Sequence, residues 1–196
     1  PDLEPEKTQS YEIGIEQQLF NFPARVELVF FHIDFKDLIE RSVTGVDNVG
    51  RAKTEGIEFS LQYSPLPNLN ISGNYTYQEA ENKDTGTPLR RPENIWNFNA
   101  FYQYQEKLDI NLDINIVGEK FHDFDFILTD GKELEGPLEG YQKIDLALSY
   151  LTRRWSYTNE LKFFAKINNL LDQEYFEAKG FRAPGTTFFT GMKLSF

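Results

Sequence analysis

The segment KLDINLDINIVG, Lys107–Gly118, decides the fold, because apolar and polar residues alternate in it without a break from Leu108 to Ile116. Leucine and isoleucine occupy the even positions, and aspartate and asparagine occupy the odd positions. Successive side chains of a β-strand point to opposite faces, so this period of two residues predicts a strand with one apolar and one polar face. The class of protein then depends on which face points inward.

The same alternation recurs along the chain and predicts an all-β protein with nine strands and no helix. The predicted strands are residues 7–20, 24–35, 56–65, 69–77, 96–104, 108–116, 143–150, 160–168 and 188–196. Short connections alternate strictly with long ones, and the long ones are residues 36–52, 79–94, 119–140 and 172–184. Alternate connections of an up-and-down meander emerge at the same end, so we expect short turns at one end of the sheet and large loops at the other.

The composition excludes several classes of function. The 196-residue chain has 31 Asp and Glu against 20 Lys and Arg, a net charge of −11 that argues against a nucleic-acid partner. It has no cysteine, which excludes disulfides and thiolate metal sites, and no apolar run long enough for a transmembrane helix. No Ser–His–Asp grouping, phosphate-binding loop or histidine-rich metal set is visible, so we do not expect an enzyme.

Two architectures fit the alternating pattern. A soluble acidic β-sandwich or a lipocalin-like barrel would pack the apolar face inward, whereas a transmembrane β-barrel turns that face toward lipid. Several predicted strands hold the pattern for about ten residues, which crosses a bilayer at a tilt, while strands of soluble proteins are typically about 5–6 residues long. Tyrosine and tryptophan also gather toward the strand ends, where aromatic girdles meet lipid headgroups. A transmembrane barrel is therefore the favoured prediction, and the sandwich is the alternative.

Four stretches resemble the TonB-dependent outer-membrane receptors. PDLEPEKTQSYEIGIE at residues 1–16 is similar to their Pro-x-Leu-x-Pro-Glu and Tyr-Glu-x-Gly segment, and NVGRAKTEGIEFSLQYSP at residues 48–65 to their Gly-x-Glu strand. LRRPENIWNF at residues 89–98 is similar to their Arg-x-Pro stretch, and residues 168–196, which begin NNLLDQEY, resemble their last hairpin through Pro-Gly to a terminal Phe. An arginine often follows that Pro-Gly pair in the family, and this chain has Thr186 there.

The resemblance implies that residues 1–196 are the C-terminal portion of a 22-stranded barrel, with the plug domain and the earlier strands absent. Such receptors import a scarce nutrient chelate across the outer membrane of Gram-negative bacteria, most often a ferric siderophore and in other cases haem or cobalamin. TonB energises them through their N-terminal part, and the barrel wall contacts lipid and lipopolysaccharide. The long connections would lie outside the cell. A passive porin is the remaining alternative.

Candidate ligand-binding residues come from the predicted outer loops. Arg90, Arg91 and Arg182 lie in these loops, and the aromatic residues Tyr175 and Phe181 lie there too. Arginine beside aromatic rings suits an anionic catecholate or carboxylate chelate. The alternative is that these arginines are rim charges that meet lipopolysaccharide or pair with nearby glutamates.

Residues 118–140 are strongly acidic and raise the question of a metal site. This stretch holds seven acidic residues and two lysines. Calcium favours clustered carboxylates in flexible loops, so Asp123, Asp125 and Asp130 are candidate Ca²⁺ ligands. The spacing is not that of an EF-hand, and a solvated loop is the alternative.

The last predicted strand ends on an aromatic residue. Phe196 is preceded at alternate positions by Leu194, Met192 and Phe188, with Thr190 between the last two. The family resemblance implies that the barrel-assembly machinery binds such a strand, which offers an open edge and an apolar stripe. An ordinary last strand is the alternative.

Overall fold

The structure of the protein is a computed structural model that describes residues 3–20, 22–42, 45–48, 50–121, 126–127, 133–134, 137–156 and 159–195. In chain order the strands are β1 Lys7–Leu19, β2 Ala24–Lys36, β3 Ile39–Ser42, β4 Gly45–Asn48, β5 Ala52–Leu66, β6 Leu69–Asn82, β7 Asn94–Tyr104, β8 Leu108–Val117, β9 Phe126–Ile127, β10 Glu133–Leu134, β11 Tyr141–Ser156, β12 Asn159–Asn168, β13 Phe176–Ala178, β14 Phe181–Arg182 and β15 Thr187–Ser195. Over these ranges, no helix has the length and apolarity that crossing a membrane requires.

Nine of the strands form one antiparallel sheet in the order β1-β2-β5-β6-β7-β8-β11-β12-β15. Each strand pairs with the next long strand in the sequence, so the sheet is an up-and-down meander and the predicted nine strands are confirmed. The six short strands form three small hairpins within the long connections. We call the end of the sheet with short connections the turn end and the opposite end the loop end. The sheet is not closed within this chain.

The strand pairing confirms the predicted faces. Ile114 pairs with Phe98 on one side and with Ile144 on the other, and this apolar face runs through the whole sheet. Asp113 pairs with Asn99 and Asp145 on the opposite, polar face. Paired residues share a face because neighbouring strands pleat together. The alternation therefore continues across strands as well as along them.

The apolar face is not packed against a second layer. Large apolar side chains on it are widely exposed, and Ile13 and Met192 keep 73% and 72% of their surface accessible. Among the described residues, each of the other sheets has only two strands, whereas a sandwich requires a full second sheet. The alternative of a soluble sandwich is therefore wrong.

One row of paired residues shows that the strands are tilted. The row consists of Leu19, Ala24, Tyr63, Ile71, Ala100, Leu112, Leu146, Ile167 and Phe188. The row begins at the turn end of β1 and finishes at the loop end of β15. Its distance from the turn end of the sheet therefore increases by roughly 25 Å across a sheet width of roughly 38 Å. The strands therefore lean by roughly 30–35°, close to the tilt of membrane barrels.

Aromatic residues mark both limits of an apolar band on this face. On β7, Trp96 lies near the loop end and Tyr104 lies at the turn end. Eight residue steps at this tilt correspond to a height of about 22 Å, which matches the apolar belt of about 25 Å in outer-membrane barrels. Tyr77 and Tyr11 lie near the level of Trp96, allowing for the tilt. The predicted aromatic girdles are thus present in the sheet.

The predicted limits of four strands, β5, β6, β11 and β12, were wrong. β5 and β6 continue past their predicted limits at the loop end. The pattern did not predict this extension, because the residues there are mostly polar or charged and show no apolar alternation. Residues 152–159 were expected to be a connection, but β11 and β12 extend into them. Register shifts after Leu151 and after Arg154 insert β-bulges, which break the period of two from which the strand limits were predicted.

Candidate ligand-binding rim

The long connections at the loop end form a rim whose parts are joined to one another. The backbone of Lys120 bridges to Pro92 in one connection and to Leu138 further along its own connection. The Lys120 ammonium donates to the carbonyl oxygen of Glu177 at 3.1 Å. Lys120 therefore ties together the connections that follow β6, β8 and β12.

Arg91 reaches from the connection after β6 over the polar face of the sheet. Its Cζ atom lies 5.9 Å from the centroid of the Phe35 ring. Its Nη1 atom lies 3.5 Å from the hydroxyl oxygen of Thr54, a residue only 1% exposed. Phe35 and Thr54 are on the adjacent strands β2 and β5. The guanidinium is thus fixed above an aromatic ring, the geometry of a cation–π pair.

Backbone pairing positions this arginine. The connection after β6 continues the hairpin beyond the strands, because Leu89 N donates to Ala80 O and Gln78 N donates to Glu93 O, both at 2.8 Å. The Arg-x-Pro stretch therefore returns to the sheet in a paired conformation. This pairing explains how a residue in a connection acquires a defined place over β2 and β5.

An apolar column lies below Arg91 on the polar face of β2. Val29, Phe31, Ile33 and Phe35 occupy alternate positions of that strand, on the side opposite Phe30. Phe31 packs over Gly56, where an added Cβ would lie 2.8 Å from Phe31 Cζ and 2.1 Å from the Tyr77 carbonyl oxygen. The local sequence around Arg91 does not identify Phe35 as its partner. The signal was the LVFFHIDF run, which is apolar on both faces.

A cavity of about 640 Å³ opens beside Arg91 at the rim. Its lining includes Leu89 and Phe121 together with Glu93 and Glu119. Arg91 supplies a positive charge to this otherwise acidic lining. The cavity therefore suits a ligand that offers an anionic group to the arginine and hydroxyl or amine donors to the glutamates.

The connection after β12 is held by a buried amide. Asn169, 2% exposed, has a positive φ of 52°. Its backbone N–H donates to Asp145 Oδ1 at 2.9 Å, and its side-chain N–H groups donate to the carbonyl oxygens of Gln173 at 2.9 Å and Pro184 at 3.3 Å. Its Oδ1 atom accepts from Gln173 N at 3.0 Å. One asparagine therefore joins β11 to two parts of the connection after β12.

Thr186 completes this network at the position where the family often has arginine. Its hydroxyl donates to the carbonyl oxygen of Asn169 at 2.8 Å, and its backbone N–H donates to Asp172 Oδ1 at 2.8 Å. A Cβ on Gly185 would lie 2.6 Å from that same carboxylate oxygen. The Pro-Gly-Thr sequence thus closes the connection through a hydroxyl, and a side chain at residue 185 would displace the Asp172 carboxylate.

The other predicted ligand-binding residues occupy different settings. Tyr175, 9% exposed, stacks on Tyr141 with ring centroids 4.2 Å apart. Phe181, 75% exposed, projects from the hairpin of β13 and β14, where Arg182 Nη2 lies 3.5 Å from Glu174 Oε1. Arg90 is exposed beside Arg91. The predicted residues therefore fall into two groups on two connections, and Lys120 links those connections.

The predicted metal ligands Asp123, Asp125 and Asp130 lie outside the described residues, and so does Phe196. In the part of the chain that the structure describes, no group of three or more acidic or histidine side chains could hold a metal ion. Leu194, Met192 and Phe188 lie on the apolar face of β15, paired with Leu161, Phe163 and Ile167 in that order. They form the predicted stripe on the last strand of the sheet.

Ion pairs hold the loop end of β2, β5 and β6. The guanidinium and backbone N–H of Arg51 donate to the Asp84 carboxylate at 2.7 to 3.0 Å. These hydrogen bonds hold the pKa of the Asp84 carboxyl below its usual value of 3.8. Lys83 Nζ lies 2.7 Å from Asp34 Oδ1. This part of the rim is therefore built from charges at the surface.

A tilted, up-and-down sheet with an apolar band, short turns at one end and a loop-bearing rim at the other is a wall segment of a membrane β-barrel. The chain matches the family model for the TonB dependent receptor-like β-barrel over residues 1–170, so it belongs to that family. Receptors of this family are outer-membrane proteins of Gram-negative bacteria. The resemblance found in the sequence motifs is confirmed.

Individual relatives agree with this assignment. The ferric enterobactin receptor of Pseudomonas aeruginosa is 25% identical over 230 residues, covering 99% of this chain and 30% of the receptor. The vitamin B12 transporter BtuB of Vibrio cholerae is 24% identical over 201 residues, covering 100% of this chain and 30% of the transporter. The crystal structure of the ferripyoverdine receptor of Pseudomonas aeruginosa matches with a TM-score of 0.76 at 18% identity, covering 99% of this chain and 28% of that one. This chain spans less than a third of the length of these relatives.

Proposed function

We propose that this chain is the C-terminal portion of an outer-membrane receptor that imports a scarce nutrient as a metal chelate, with a ferric siderophore as the favoured cargo. Relatives at similar identity carry names that refer to ferric enterobactin and to vitamin B12, which supports a nutrient receptor and leaves haem and cobalamin as the other cargoes to test. The chain supplies barrel wall and rim, and the loop end faces the cell exterior.

The position of Arg91 over Phe35 is the observation that carries the choice of cargo. The pair lies on the polar face at the loop end, where an incoming molecule first meets the barrel lumen. A guanidinium beside an aromatic ring recognises an anionic aromatic group through charge and stacking together. Ferric catecholates offer that combination, and the adjacent cavity offers carboxylates to their hydrogen-bond donors.

The remaining partners follow from the same proposal. The N-terminal part of the receptor would fill the lumen and contact TonB, which supplies the energy for transport. The polar face, with Asn99, Asn111 and Asp113 on it, suits that protein-filled lumen. The apolar stripe of β15 would be bound by the barrel-assembly machinery during insertion.

The test is ligand binding by the full-length receptor in detergent, with Arg91→Gln compared against Arg90→Gln. A ferric tris-catecholate and cobalamin serve as probes, and quenching of protein fluorescence gives the Kd. We expect Arg91→Gln to weaken binding of the ferric catecholate about fivefold, because a cation–π contact of an exposed arginine contributes about 0.5–1 kcal/mol. Arg90→Gln should change it much less. Equal affinities for wild type and Arg91→Gln, or binding of cobalamin alone, would contradict the proposed cargo.

A further inference from the structure

Two glutamates face each other across a strand pair beside Arg91. The backbones of Pro92 and Lys120 bridge in an antiparallel ladder, so the next residues along it, Glu93 and Glu119, lie directly opposite each other. Both side chains are exposed and line the rim cavity of about 640 Å³. We call these two residues the glutamate pair. Like charges directly opposite each other in a sheet repel, so this pair costs the fold free energy.

The chain does not neutralise the glutamate pair. Over the ranges that the structure describes, neither of its members forms an ion pair with a lysine or an arginine. The guanidinium of Arg91 extends away from the pair, to the Thr54 hydroxyl and the Phe35 ring. The ammonium of Lys120 donates to the carbonyl oxygen of Glu177. The two carboxylates are therefore open to a cation that comes from outside the chain.

The cavity thus has a positive end and a negative end. Thr54 on β5 marks the position of the guanidinium, and the glutamate pair lies on the continuations of β7 and β8, two and three strand spacings away. With about 4.8 Å between strands and one two-residue step along them, this separation is roughly 12–16 Å. Leu89 and Phe121 contribute apolar surface to the same cavity.

We propose that the cargo of this cavity is a zwitterionic chelate, with an anionic aromatic group bound at Arg91 and an ammonium or guanidinium group bound at the glutamate pair. This inference rests on the proposed function and adds a second charge, of opposite sign, to the cargo. A cation between the two carboxylates would remove their repulsion and form charge-assisted hydrogen bonds. A chelate with negative charge alone would be attracted at one end and repelled at the other.

The experiment uses the full-length receptor in detergent and measures Kd by quenching of protein fluorescence. The first probe is a ferric tris-catecholate. The second carries in addition one primary amine, on an arm long enough to span the two ends of the cavity. The third is the second with its amine acetylated. The second and third probes are similar in size and differ by one positive charge.

The test variant is Glu93→Gln with Glu119→Gln, which removes both negative charges and keeps amide oxygens as acceptors. The matched control is Glu79→Gln with Glu81→Gln. It removes two carboxylates from the neighbouring strand β6, where these residues share the outward face with Tyr77. Heat-modifiable gel mobility confirms that every variant is folded.

We expect wild type to bind the amine probe about fivefold more tightly than the acetylated probe, a difference of about 1 kcal/mol, because contacts between exposed charges are modest. The control should keep this ratio of affinities, and the test variant should bind the two probes equally. Added salt should lower the ratio in wild type, since the preference is electrostatic. Equal affinities in wild type, the wild-type ratio in the test variant, or loss of the ratio in the control would overturn the inference.

The three probes also separate this inference from the proposed function. Equal affinity of wild type for all three would overturn the zwitterionic cargo and leave the ferric catecholate as the cargo. Failure of all three to bind would contradict the proposed function, and this inference with it.

Discussion

The two sides of the sheet support their loop ends in different ways. On the side of β5 and β6 the strands rise beyond the apolar band, and surface ion pairs such as Arg51–Asp84 hold the connections. On the side of β12 and β15 the strands stop near the band, and a buried network centred on Asn169 holds the connection to β11.

This difference separates an adjustable rim from a fixed one. An exposed ion pair contributes about 0–1 kcal/mol and weakens in salt. A buried amide with several hydrogen bonds costs more to disrupt, because each partner left unsatisfied loses its hydration as well. The first side can therefore rearrange its pairs at small cost, whereas the second keeps a single arrangement.

The largest loss of stability is expected from a change in the sheet that supports both sides, at Leu112 in the middle of β8. Leu112 lies on the apolar face, paired with Ala100 and Leu146. In the receptor that contains this chain, Leu112→Arg places a cation near the bilayer midplane and should cost about 2–4 kcal/mol of barrel stability. The midpoint of urea unfolding in micelles, followed by heat-modifiable gel mobility, measures the loss.

Asp113→Asn is the matched control, because it changes the next residue on the polar face. Asp113 accepts hydrogen bonds at 2.6 Å from the side-chain amides of both Asn99 and Asn111. An asparagine at residue 113 keeps one of the two acceptor oxygens and loses one polar-face hydrogen bond, so its effect should stay within about 1 kcal/mol. Similar unfolding midpoints for the two variants would contradict the assignment of the faces.

A smaller loss of stability is expected from Asn169→Ala, which disrupts the buried network on the side of β12 and β15. The change removes the side-chain bonds to Gln173 and Pro184 and leaves buried backbone groups unsatisfied, which should cost about 2 kcal/mol. Hydrogen exchange of the backbone amides in residues 170–186 should accelerate, while exchange near Asp84 should stay as in wild type.

Two controls separate the causes of that loss. Asn169→Gly keeps the positive φ without strain, so its difference from Asn169→Ala gives the backbone contribution, about 1 kcal/mol. Asn168→Ala removes only a 3.2 Å contact to the Thr187 hydroxyl and should have a lesser effect. Exchange that accelerates equally for Asn168→Ala and Asn169→Ala would show that the network is not centred on Asn169.

The smallest effect is expected from Asp84→Asn on the adjustable side. The pKa of the folded Asp84 carboxyl lies below 3.8, so its pair with Arg51 stabilises the connection above about pH 4. That contribution is lost as the pH falls through the folded-state pKa. The protection factors of the amides near residue 84, each taken relative to intrinsic exchange at the same pH, should therefore respond to acid and to salt in wild type and to neither in the variant. A response in the variant equal to that of wild type would assign the sensitivity to other groups.

The wall could be predicted from the sequence because lipid on one side and a wet lumen on the other impose a strict alternation. Residues 108–116 show it without a break, and their neighbours pair in the expected register. The prediction failed where that contrast disappears. β5 and β6 carry charges outward above the apolar band, and bulges in β11 shift the period.

The rim was harder to predict because its contacts join residues far apart in the chain. Asn169 bonds to Asp145, 24 residues earlier, and to Thr186, 17 residues later. Arg91 was identified as a candidate from its type and its place in a connection, but its partner Phe35 belongs to a strand near the start of the chain. No local period connects such positions, so a family motif was the only sequence signal for the last connection.

The row of paired residues from Leu19 to Phe188 limits which insertions and deletions the strands can accept. Deletion of one residue within a strand would turn every following side chain of that strand to the opposite face, so acidic side chains would face the acyl chains. Loss of two codons would preserve the sides. Insertions in the connections leave this row of pairs unchanged, so proteins of this design can vary in loop length while the wall remains as it is.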